Sequence, residues 1–140
     1  MKRLFLFLVV ALCTLAASAD PDTNFDPKQY KSALRQYITA RAGLTQTEAN
    51  KFFVLFDELK EKQRVYFRKA GHAMHSRPMT EKDCLKAIKE RDRSELEIKR
   101  LQQEYDAKFL KVVSACKLYE IIKAEEDFNR SAFRKMQRKK

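Results

Sequence analysis

The stretch GLTQTEANKFF, residues 43–53, closes one helix and opens another within three residues. Glycine accepts the left-handed backbone that ends many helices, because it has no Cβ to clash. Thr45 then stands where a helix N-cap belongs, with Glu48 three residues further on. A cap hydroxyl accepts from the third helical amide, while the glutamate reaches back to the N–H of the cap residue. Such a capping box serves two otherwise orphan donors and is worth about 1 kcal/mol. Leu44, just outside the cap, is placed to staple onto Ala49 or Phe52. The corner therefore predicts two helices joined at a fixed angle.

Outward from that corner the chain reads as four helices. The first starts at Asp26-Pro27, an N-cap followed by proline at the first helical position, with Gln29 three residues after the cap. Tyr30, Ala33, Leu34, Tyr37, Ile38 and Ala42 recur at spacings of three and four, which is one helix face ending at Gly43. In the second, the apolar stripe runs from Phe52 and Phe53 through Phe56, Leu59, Gln63, Tyr66, Phe67 and Ala70 to Gly71, where the same glycine logic predicts the end. HAMHSRPM, residues 72–79, then reads as a loop, because Pro78 discourages helix in Arg77.

Thr80 caps a third helix with Asp83 at the box position, and the pattern carries it to Val113, about 50 Å at 1.5 Å per residue. Its middle, KERDRSE (residues 89–95), is polar all round and reads as a solvated bridge between two packed ends. Glu95–Lys99 and Glu104–Lys108 are spaced for supporting ion pairs. Ser114 breaks the pattern before a fourth helix carrying Leu118, Tyr119, Ile121, Ile122, Phe128, Ala132, Phe133 and Met136, with a basic tail that suits a helix C-terminus. No segment shows the period-two alternation of a strand. The expectation is an all-α fold: four helices, two of them long, in an extended antiparallel helical hairpin arrangement. Its core per chain is modest, so a curved homodimer is expected.

The N-terminus predicts export. Lys2 and Arg3 precede the apolar run 4–17, and Ala17-Ser18-Ala19 stands before Asp20 as a small-x-small cleavage signal. The run is short for a bilayer span, which takes about 20 apolar residues. Leu12 before Cys13 argues against a lipid anchor, since a small residue belongs there. Residues 1–19 are thus expected to be a cleaved signal peptide and residues 20–140 a single helical domain, periplasmic and not itself transmembrane. Removing Lys2 and Arg3 with the leader leaves 28 Lys and Arg against 19 Asp and Glu, a net +9. Export disfavours nucleic acid as the partner of that charge and favours acidic proteins or surfaces.

Two cysteines remain, Cys84 and Cys116, in an oxidising compartment. An unbroken third helix would hold them about 48 Å apart. A disulfide needs Cα atoms within about 7 Å, so free and mostly buried thiols are expected. No catalytic constellation is present: the two histidines have no nucleophile beside them, carboxylates are scattered among Lys and Arg, and glycine-rich phosphate loops are absent, so no enzyme is expected. Two surface readings compete. Lys60, Arg64 and Arg68 on the second helix, with Lys86, Lys89 and Arg93 on the third, stand beside apolar residues and could hold acidic, unfolded clients. His72, Met74, His75 and Met79, with Cys84 one turn into the next helix, supply donor types that suit copper, zinc or nickel.

Leu44-Thr45-x-x-Glu48 opening a long helix resembles the LTxxQ motif of the Spy/CpxP family of periplasmic proteins, with Glu48 where that family has Gln. No second motif occurs: Val113-Ser114-Ala115-Cys116-Lys117 occupies its expected place. The resemblance, extended by the leader, the basic charge and the helix order, implies an ATP-independent chaperone-like or envelope stress-response protein. It would bind unfolded proteins on a basic concave face, without a cofactor. The alternative within the same group is a periplasmic heavy-metal sensor acting on a membrane anti-sigma or signalling partner.

Overall fold

The structure, a computed structural model, describes residues 26–77 and 80–138; the leader and Met79 lie outside the described residues. It is all-helical, with α1 Pro27–Ala42, α2 Gln46–His75, α3 Glu81–Phe109 and α4 Ala115–Gln137, and no strand among the described residues. Each start is set by a side-chain cap. The Asp26 carboxylate accepts from the Lys28 amide at 2.9 Å, and the Thr80 hydroxyl from the Asp83 amide at 3.1 Å. Ser114 accepts from the Lys117 amide at 3.3 Å. At the α1–α2 corner both halves of the capping box are made: Glu48 N–H donates to Thr45 Oγ1 at 3.2 Å, and Thr45 N–H donates to Glu48 Oε2 at 2.9 Å. Gly43 supplies the left-handed turn, at φ 59°.

Two helix pairs share one apolar core. α1 packs on α4, where Phe128 meets Tyr30 and Tyr37 with ring centroids 5.4 and 5.6 Å away. α2 packs on α3, and the partners descend on α3 as they ascend on α2: Phe52 faces Phe109 at 4.7 Å, and Gln63 Nε2 donates to the Ile98 carbonyl at 3.2 Å. The two helices therefore run in opposite directions. Ile38, Phe52, Leu59, Tyr105, Phe109 and Ile121 are all but inaccessible and join the pairs. Burying each such side chain contributes about 1.5–3 kcal/mol, and this cluster is what holds the helices in register. Polar ties reinforce it at the rim: Lys31 Nζ lies 2.9 Å from Asp57, Arg35 also pairs with Asp57, and Lys60 pairs with Glu125.

Several sequence expectations are corrected. α2 does not stop at Gly71 but continues to His75, so His72, Met74 and His75 are helical and not part of a loop. A glycine ends a helix only where the chain has to turn, and here it does not turn until Ser76. α3 ends at Phe109, four residues before Val113, because Val112 and Val113 both return their amides to the Phe109 carbonyl in a tight turn. The polar middle of α3 is not wholly solvated: Ser94 is 1% exposed. Glu95 pairs back to Arg91 at 3.9 Å instead of forward to Lys99, whereas Glu104–Lys108 forms at 3.0 Å. Both thiols are free, yet neither is fully buried; Cys84 is half-buried, and Cys116, in the first turn of α4, is exposed.

Candidate binding surface

The core occupies only part of the long helix pair. On α2 the last buried residue is Gln63, and on α3 the first is Ser94. Residues 64–77 and 80–93 contain no buried side chain and form a two-helix arm beyond the core. The arm nevertheless carries large apolar side chains: Phe67 is 58% exposed, Leu85 52%, Met74 51% and Ile88 44%. Exposed apolar side chains also occur beside the core, where Val54 is 68% and Leu96 71% exposed, but on the arm no buried side chain lies beneath them.

Helical register shows which way part of this surface faces. Met74 lies eighteen residues beyond Phe56, about five full turns, and Phe67 lies eleven beyond it, about three. All three stand on one line of α2. Phe56 on that line is buried, lining with Leu118 and Ile121 the junction to α4. Phe67 and Met74 continue the same core-facing line where the covering helix is missing, because α1 begins only at Pro27. Pro27 shares an open groove of about 450 Å³ with Arg64 and Asn129, and the arm begins there.

The arm is also cationic. Between residues 64 and 93 the chain has nine Lys and Arg against four Asp and Glu. Arg64 is tied to Glu61 at 3.0 Å and Arg91 to Asp92 at 2.7 Å. Among the described residues Arg68, Lys86, Lys89 and Arg93 have no ion-pair partner, and all four are exposed. Unpaired surface charge attracts opposite charge over roughly a Debye length, about 8–10 Å at physiological salt. Five of the six cationic positions singled out from sequence thus fall on the arm. Lys60 does not: it sits at the core, paired with Glu125 and 4.9 Å above the Phe56 ring, where it joins α2 to α4.

On α2 His72 and His75 stand three residues apart, which makes them neighbours on the helix surface. His72 lines a cavity of about 570 Å³ between the ends of α2 and α3, with Lys69, Lys86 and Glu90, while Met74 lies on the core-facing line. The ring of His75 is engaged locally, its Nδ1 2.7 Å from the Gly71 carbonyl. Among the described residues no three His, Cys, Asp or Glu side chains gather in one group.

A second charged cluster, missed from sequence, flanks the buried Tyr105 ring. The Lys62 and Lys108 ammoniums lie 5.1 and 4.0 Å from its centroid. Lys62 also pairs with Glu58, one turn earlier on α2, at 3.1 Å, while the buried Tyr105 hydroxyl has no hydrogen-bond partner among the described residues. The Lys62 ammonium over the Tyr105 ring is thus a cation–π contact between α2 and α3.

Leu44, Thr45 and Glu48 are brought together as the sequence required, but at the opposite end of α2 from the arm, where Lys117 also reaches Glu48 at 2.6 Å. No helix among the described residues is long and apolar enough to cross a membrane. No family model, curated protein or solved structure matches the chain.

Proposed function

We propose that the protein is an exported, periplasmic, ATP-independent chaperone-like or stress-response protein that holds unfolded acidic clients on its arm. The observation that carries this reading is the arm itself, where exposed Phe67, Met74, Leu85 and Ile88 lie among unpaired cations and outside the core. Charge brings a client close, and apolar side chains then hold it without fixed geometry, so loose binding needs neither nucleotide nor a catalytic group. In this reading α2 and α3 form an extended antiparallel hairpin, and a curved dimer would set two arms around one concave face.

The test is suppression of aggregation of an acidic, chemically unfolded substrate at low salt. Suppression should weaken as salt rises and should be lost in the Arg68→Glu, Lys89→Glu, Arg93→Glu triple variant, which leaves the core untouched. Equal aggregation with and without a stoichiometric excess of the protein at low salt would overturn the proposal.

A further inference from the structure

We propose that the free end of α4, residues 130–138, docks on an anionic phospholipid surface, with Phe133 and Met136 entering the headgroup layer. The starting point is what covers α4 and where that cover stops. Phe128 meets the Tyr30 and Tyr37 rings of α1, and Asn129 accepts from the Tyr30 hydroxyl. Leu118, Ile121 and Ala124 are buried, but from residue 130 onward α4 has no buried side chain among the described residues. About 12 Å of helix, at 1.5 Å per residue, therefore continues beyond the core.

Charge changes sign at the same place. Residues 115–129 hold Lys117 and Lys123 against Glu120, Glu125, Glu126 and Asp127, whereas residues 130–138 hold Arg130, Arg134, Lys135 and Arg138 and no acid. In the covered part Lys117, Glu125 and Asp127 are engaged in ion pairs to α1 and α2. None of the four cations beyond it has an ion-pair partner among the described residues. The helix dipole accounts for Arg134 and Lys135 in the last turn, but not for Arg130. Arg130–Arg134 and Arg134–Arg138 are also like-charge pairs four residues apart, which weaken a helix until an anionic surface relieves them.

The two kinds of side chain are sorted by face. With 3.6 residues per turn, Arg130, Arg134 and Arg138 form one line, and Ala132, Phe133 and Met136 centre about 150° round the axis from it. Phe133 is 58% and Met136 49% exposed. A helix apolar on one face and cationic on the other lies in a lipid interface: its apolar side chains sink below the headgroups and its long arginines reach back to the phosphates. Each cation adds attraction to anionic lipid. An acidic protein would answer the charge alone and leave the sorting of faces without a use. The arm is a poorer lipid site, since four acids are interspersed among its nine cations. No described helix is long and apolar enough to cross a membrane, so the contact is with the surface. It does not rest on the chaperone reading.

The chain lacks tryptophan, so Phe133→Trp in the full chain gives a reporter that reads this position alone. Its emission and acrylamide quenching are followed against phosphatidylcholine vesicles with and without phosphatidylglycerol. The anionic vesicles should move emission to the blue and lower the quenching constant about twofold or more, as an indole settling among headgroups does. Neutral vesicles should do neither, and high salt should reverse the change. Arg130→Gln, Arg134→Gln and Arg138→Gln together should weaken vesicle binding about a hundredfold. Lys86→Gln, Lys89→Gln and Arg93→Gln on the arm should leave it unchanged. An unaltered spectrum with anionic vesicles would overturn the proposal, and so would a loss of binding in the arm variant instead of the α4 variant. An equal shift with soluble poly-glutamate would assign the end of α4 to an acidic protein. Burial that grows with protein concentration in the absence of lipid would assign it to a second copy; either result also overturns the proposal. Suppression of aggregation, which the α4 variant should retain, keeps the two readings apart, because lipid binding can fail while client holding survives, and the reverse.

Discussion

Lys117 Nζ lies 2.6 Å from Glu48 Oε2, the same oxygen that accepts the Thr45 N–H at 2.9 Å. The carboxylate that starts α2 is therefore also the anchor for the first turn of α4, sixty-nine residues later in the chain. A local cap has become a tertiary staple, which ties the α1–α2 corner to the α3–α4 turn at the core end of the molecule.

The staple predicts a pH signature. The Lys117 ammonium, followed by the Thr45 amide, holds the Glu48 carboxyl below its ordinary value of 4.5. Because the folded value is the lower one, the stability gained is fully present above 4.5 and is lost as pH falls through the folded value. Glu48→Gln retains a side-chain oxygen for the cap but removes the titration. Thermal melts taken from about pH 7 down to about pH 3 should show the wild-type advantage over Glu48→Gln shrinking with acid. A constant difference across the range would mean that Lys117 does not act through the charge.

The two glycines should respond to alanine with opposite signs. Gly43 sits at φ 59°, where a Cβ is disfavoured, so Gly43→Ala should cost about 1 kcal/mol, although no atom lies within 4 Å of the added carbon. Gly71 is inside α2 with equally open space around it, and alanine there should stabilise the helix by about 0.5–1 kcal/mol. Denaturant midpoints for the two single variants check both signs.

The difference between these glycines explains how much of the fold was legible in the sequence. Asp26, Thr45, Thr80 and Ser114 mark all four starts because capping is chemistry among residues three or fewer positions apart. Ends are less plain. Both glycines follow an alanine, but Gly43 is followed at once by Leu44 and the capping residue Thr45, whereas no cap follows Gly71 and the helix runs on through it. Ser94 was concealed for a related reason, since one small residue in a charged run gives no periodic signal. The cationic positions of the arm were readable as residue types. That Lys60 is tied to Glu125 while Lys89 has no ion-pair partner among the described residues depends on α4, far away in sequence.

Gln63 offers a test of the helix-pair interior. Its amide, 3% exposed, donates to the Ile98 carbonyl at 3.2 Å and lies 3.5 Å from Gln102 Oε1. Gln63→Glu would place a carboxylate against two acceptors in a dry site, costing about 2 kcal/mol or more at neutral pH. Protonation restores a donor, so this variant should regain stability as pH falls, opposite in sign to the Glu48 effect. Gln63→Leu removes the unmet need altogether and should stay within about 1 kcal/mol of the parent. Melting curves of the two variants at neutral and acid pH give both comparisons.

Phe52 and Phe67 occupy the same helix fifteen residues apart and should have separable roles. Phe52 is 0% exposed and stacks near Phe53, Phe56 and Phe109, so Phe52→Ala should cost about 3–5 kcal/mol by opening a cavity. A domain of this size with stability of about 5–15 kcal/mol would be badly weakened by that change. Phe67, 58% exposed, leaves no comparable cavity, and Phe67→Ala should stay within about 0.5 kcal/mol of the parent. The reverse ranking is expected for client holding, measured at a temperature where both variants remain folded. Phe67→Ala should lose suppression of aggregation, while folded Phe52→Ala should retain it. If Phe67→Ala were strongly destabilising, Phe67 would belong to the core and the arm would begin further towards the tip. If it were neutral for both stability and holding, the client surface would have to lie on the opposite face of the helix pair.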